Sequence, residues 1–89
     1  MKPQHYTHRS NKGVVTIRQN AETRGLWDLL IADVLVCAGR YRDPRQAAID
    51  TSRRDFGDET LNKKFVGLRG VPDDLDRWEW SGCSQNRWS

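Results

Sequence analysis

The sequence has no apolar run long enough to cross a bilayer, only two histidines and only two cysteines, and each shortage removes a class of function. Its longest apolar stretch, LWDLLIADVLVCA over Leu26–Ala38, spans 13 residues and contains Asp28 and Asp33. A spanning helix needs roughly 20 apolar residues, so no membrane partner is expected. Residues 1–24 hold no apolar run of signal-peptide length, and the expected compartment is the cytoplasm. There Cys37 and Cys83 are expected as reduced thiols rather than a disulfide. Cys37 lies in the apolar run, the setting of an inert buried thiol, and Cys83 in a Ser/Gly/Asn-rich segment. Two cysteines without a second pair do not make a standard structural zinc site, and His5 and His8 are far from both in the chain. Neither a metal nor a cofactor is expected.

Catalytic groups are equally scarce. His5 and His8 sit near one end, whereas a general base has to be held in place. The carboxylates Asp50, Asp55, Asp58, Glu59, Asp73, Asp74 and Asp76 read as helix caps, first-turn acids and surface pairs. GLRG lacks the spacing and the lysine of a phosphate loop. No catalytic residue is assigned, and the protein is expected not to be an enzyme.

What remains is small, charged and rich in arginine and tryptophan. With 89 residues, 36% hydrophobic and 30% charged, there is room for one domain with a modest core. Net charge is +3, and its distribution says more than its value. Residues 1–24 carry Lys2, Arg9, Lys12, Arg18 and Arg24 against Glu22 alone, while residues 25–57 balance and residues 58–89 are slightly acidic. Residues 1–12 therefore read as a basic flexible arm ahead of a single small domain over 13–89. On that arm Arg9, Lys12 and Tyr6 are candidate partner-binding residues, through charge that steers encounter and a ring that stacks.

GVVTIR (Gly13–Arg18) alternates, with Val15 and Ile17 on one side and Val14, Thr16 and Arg18 on the other, which predicts a strand. QNAET then reads as a turn. Over Leu26–Ala38, Leu26, Trp27, Leu30, Ile31, Val34 and Cys37 fill one helical stripe, and the length predicts a central helix. Strand through VLVC is the rival reading. Asp43 with Pro44 opens a second helix that ends at Gly57, its inner stripe Ala48, Ile49, Ser52 and Phe56, with Asp50 and Arg54 spaced to pair outside. Asp58 caps a third, with Leu61, Phe65 and Leu68 on one face and Gly70 and Pro72 as its stop. DRWEWS alternates, placing Trp78 and Trp80 on the same face of an extended segment or hairpin. The predicted fold class is α+β: a single small domain with one N-terminal strand, three helices and a C-terminal extended or hairpin segment.

Two stretches resemble known families. GLRGVPDDLDRWEW (Gly67–Trp80), following a strand and helices, resembles ribosome-dependent RNase toxins of toxin–antitoxin pairs, in which a similar LRG turn leads into the central strands. The resemblance implies a small basic αβ protein acting on RNA. The remaining strands and basic catalytic residues of that family have no counterpart in the nine residues after Trp80. AAIDTSRRDFGDETLNKKF resembles a helix-turn-helix, with Ala48 as the small inner residue, Phe56–Gly57 as the turn and Asp58–Arg69 as the recognition helix. It implies a DNA contact through Arg53, Arg54, Asn62, Lys63 and Lys64.

Trp27, Trp78 and Trp80 are expected in the core, each removing on the order of 150–250 Å² from water. Trp88 beside Arg87 is then the aromatic left for a contact surface, since tryptophan and arginine are enriched at binding hot spots. The leading expectation is a small non-enzymatic protein, monomer or homodimer, that occupies a surface of a larger protein or nucleoprotein complex. A phage- or plasmid-borne inhibitor of a host system, such as an anti-CRISPR protein, fits that description. A helix-turn-helix regulator that binds nucleic acid and an RNase toxin are the alternatives.

Overall fold

The computed structural model describes residues 5–81. Four consecutive strands, β1 (His5–Ser10), β2 (Gly13–Gln19), β3 (Trp27–Ile31) and β4 (Val34–Tyr41), form an antiparallel meander. Helices α1 (Pro44–Arg53) and α2 (Glu59–Lys64) follow, then a 3₁₀ turn at Leu75–Arg77 and strand β5 (Glu79–Ser81). β5 returns to pair antiparallel with β1, giving the sheet order β4-β3-β2-β1-β5.

This overturns the expected class of one strand and three helices. Leu26–Ala38 is a hairpin, turned by Ala32 and Asp33, both at positive φ (52° and 66°). That is the backbone of a type I′ turn, whose twist matches the flanking strands, built here without the usual glycine. Trp27, Leu29 and Ile31 face inward and are buried, but Leu30 and Leu35, paired with each other on the opposite face, are apolar too. An alternation that is apolar on both sides loses its period of two and reads as a buried helix. Extra residues in β4 shift its register against β3, with Gly39 at φ +59°, which blurs the pattern further.

Residues 5–10, expected within a flexible arm, form β1 with neighbours on both sides. HYTHRS has no aliphatic alternation to announce a strand; its inward positions are Tyr6, 5.9 Å from the Trp27 ring, and His8, 5.8 Å from Trp78.

The helical layer follows its caps. Asp43 accepts a hydrogen bond from Arg45 N, Pro44 begins α1, and Arg54 ends it in the left-handed region at φ 57°. The expected Asp50–Arg54 pair does not form. Asp50 instead accepts from Tyr41 Oη (3.0 Å) and Gln46 Nε2 (2.8 Å), and Arg54 donates to Leu68 O. Asp58 caps α2 by accepting from Thr60 N and Leu61 N, but α2 stops at Lys64, well short of the expected Arg69. Ala47, Ala48 and Thr51 bring α1 close to the sheet, and Phe56, Phe65, Leu68, Leu75 and Trp78 close the core over Val15, Ile17, Leu29 and Ile31. Each large side chain fully buried there contributes about 1.5–3 kcal/mol.

Trp78 is buried, its Nε1 donating to Pro72 O at 3.0 Å. Trp80, expected beside it in the core, is on the same face but 44% exposed.

Candidate interaction surface

Among the described residues the helices cover one face of the sheet only. On the other face a single row runs across all five strands: Glu79, Thr7, Thr16, Leu30, Leu35. Beside it Arg9 stands opposite Val14 on one flank, and His5, Arg18 and Asp28 line up on the other. Val14 is 41% and Leu35 49% exposed, with Leu30 half-buried between their strands. Three branched aliphatic side chains on adjacent strands make an apolar centre open to solvent, which a lone exposed leucine does not.

The rim of this centre carries two arginines and one glutamate. At the β1–β5 side a cleft of about 330 Å³ is lined by Thr7, His8, Arg9, Val14, Arg77 and Glu79. Among the described residues Arg9 and Arg77 are in no ion pair. Arg18 is different: its Nε donates to Asp28 at 3.2 Å.

Asp28 is 4% exposed and is held from three directions. Its carboxylate accepts from Arg18 Nε, Asn20 Nδ2 (2.9 Å) and Gly39 N (2.6 Å). Desolvation pushes its pKa up, but the hydrogen bonds from Asn20, Gly39 and Arg18, with the Arg18 charge, outweigh it and leave the pKa below the ordinary carboxylate value. This group therefore anchors the face. Asn20 Oδ1 also accepts from Glu22 N and Thr23 N, tying the β2–β3 loop to the same point.

The structure separates the residues expected to bind a partner. Arg9 is on the uncovered face. Lys12 is in the β1–β2 turn, and the Tyr6 ring packs on the helical side against Trp27 rather than standing on a free arm. Arg87 and Trp88 lie outside the described residues, as does Cys83. Of the nucleic-acid candidates, Arg53, Arg54, Lys63 and Lys64 are exposed, with Arg54 also donating to Leu68 O. Asn62 is committed internally, accepting from Phe56 N at 2.8 Å and donating to Asp55. The helix expected to read DNA is six residues long. The segment after Gly67 leads to edge strand β5, not to the central strands.

Val14, Leu30 and Leu35 were not legible as one surface. Val14 belonged to an outer strand face, and the two leucines to a supposed helix. Their only signal was an apolar excess in a chain with few apolar residues.

Among the described residues no helix is long and apolar enough to cross a membrane, and no group of three or more His, Cys, Asp or Glu side chains is placed to hold a metal. The chain matches no protein-family model, no curated protein and no solved structure.

Proposed function

We propose that this is a non-enzymatic binding protein that seats the uncovered face of its sheet on a larger protein or nucleoprotein complex. The supporting observation is the patch of Val14, Leu30 and Leu35 on three adjacent strands, rimmed by Arg9 and Arg77. Interfaces with this anatomy have an apolar centre and a polar rim, with arginine enriched and lysine depleted. The unpaired arginines favour an acidic partner surface and steer its approach. Occupancy of this kind suits a phage- or plasmid-borne inhibitor covering a working surface of a host assembly, a CRISPR effector among the candidates.

The test is capture from a bacterial lysate with identification by mass spectrometry, followed by kinetics on the captured partner. Val14→Glu with Leu35→Glu is expected to weaken binding by tenfold or more while the protein stays folded, its melting midpoint lowered only by the loss of two side chains already half in water. Arg9→Gln with Arg77→Gln is expected to slow association and flatten its salt dependence. Val66→Glu, an equally apolar but 73% exposed position after α2, is the control and leaves binding unchanged. A partner held equally well by the Val14/Leu35 variant overturns the assignment of this face. Binding to DNA or RNA with a steep salt slope, indifferent to Leu35, replaces it with a phosphate-directed function.

A further inference from the structure

A second concavity lies away from that face, where the β1–β2 turn, the β3–β4 turn and the end of α2 meet. It has a volume of about 370 Å³ and is lined by Lys12, Ile31, Ala32, Val34, Lys64 and Phe65. Ile31 and Phe65 are almost wholly buried and form its floor, while Val34 is 52% exposed at its mouth. The size falls at the low end of the range for small-molecule sites, about 300–1,000 Å³.

Its walls are tied together. The Asn11 side chain donates to Gly67 O (2.8 Å) and accepts from Arg69 N (2.7 Å), and its backbone N donates to Arg69 O. Those three bonds pin the turn that carries Lys12 to the segment just after α2. On the other side, the left-handed Ala32 and Asp33 hold the second turn, and Ala32 packs against Gly13. The slot is thus preorganised, which lowers the entropy cost of filling it.

The charge at its mouth is one-sided. Lys12 and Lys64 both line it, no acidic side chain does, and neither ammonium is in an ion pair among the described residues. Lys64 Nζ sits 5.7 Å from the Phe65 ring centroid, over the floor. Lys12 leans across Gly67, its Nζ 3.7 Å from where a Cβ would stand on that glycine. Lysine ammoniums serve as compact, adjustable point charges. Two of them above an apolar floor complement a single negative group attached to an apolar body.

We infer that this slot binds a small organic carboxylate with an aliphatic or aromatic body, its carboxylate between Lys12 and Lys64 and its apolar part on Ile31 and Phe65. The inference does not depend on the uncovered sheet face, and neither Val14 nor Leu35 lines the slot.

Titration of the ¹⁵N-labelled full-length protein with octanoate, below its micelle-forming concentration, tests it directly. Saturable shifts confined to the amides of residue 12, residues 31–34 and residues 64–67 are expected. Acetate, which lacks the body, and 1-octanol, which lacks the charge, are each expected to bind at least tenfold more weakly. Lys12→Gln with Lys64→Gln should cost octanoate tenfold or more in affinity and leave octanol and the melting midpoint unchanged; each single variant gives a smaller loss. Lys63→Gln, on α2 but outside the slot, behaves as the parent. Shifts scattered over the surface, equal binding of octanol, or octanoate affinity untouched by the double substitution overturns the site.

Discussion

Gly13 and Ala32 are the contact that joins the two hairpin turns: a Cβ on Gly13 would lie 3.0 Å from Ala32 Cβ and 3.4 Å from its Cα. Gly13 also sits at φ +117°, a conformation that L side chains rarely adopt. Gly13→Ala therefore meets backbone strain and a clash together. Its expected cost is about 2–4 kcal/mol, read as a lowered urea midpoint with an unchanged slope.

Trp27 and Leu30 separate the hairpin from the helix that the sequence suggests. On a helical stripe both would be core, but in the sheet they face opposite ways, and only Trp27 is buried. Trp27→Ala is expected to cost about 3–5 kcal/mol, enough to unfold much of a small domain. Leu30→Ala is expected to cost about 1 kcal/mol, the scale of a partly exposed aliphatic residue. Equal losses in thermal melts would contradict the strand assignment.

Asp28 makes stability depend on acid. Its folded pKa is depressed, so its contribution is complete above the unfolded carboxylate value of about 3.9 and disappears as pH falls through the lower folded value. Asp28→Asn is expected to cost about 1.5–3 kcal/mol at neutral pH, the scale of hydrogen bonds to a charged group. The gap in melting midpoint between parent and variant should be flat at neutral pH and narrow below about pH 4.

Tyr41 does the same at the alkaline end. Burial, then the charge of Asp50 and the 3.0 Å hydrogen bond to it, push the phenol well above its ordinary range. A raised folded pKa gives stability that is present below the unfolded value of about 10 and lost as pH rises beyond it. Tyr41→Phe is expected to cost about 1 kcal/mol at neutral pH. Its gap to the parent in urea midpoint should narrow above about pH 10, and its ultraviolet titration should lack the late phenolate step.

Several features were legible in the residues themselves because they act over three or four positions. Asp43 with Pro44 and Asp58 predicted both helix starts, since a cap needs only its own side chain and the next amides. The Val15/Ile17 alternation predicted β2, and the apolar surroundings of Cys37 predicted its burial. Other features needed the whole sheet. β1 is a polar hexapeptide held by β2 on one side and by β5, some seventy residues later, on the other. The β3–β4 hairpin turns at Ala32–Asp33 without a turn signature, and its apolar outer face hides the strand period. The candidate surface depended on the same pairing: Arg9 was recognisable as an exposed charge, but Val14, Leu30 and Leu35 become one patch only when three strands lie side by side. Local chain chemistry determined the caps, the turn after β2 and one strand, although both helices end short of the glycines expected to stop them; long-range hydrogen bonding decided which strands are neighbours, and so which side chains face water together.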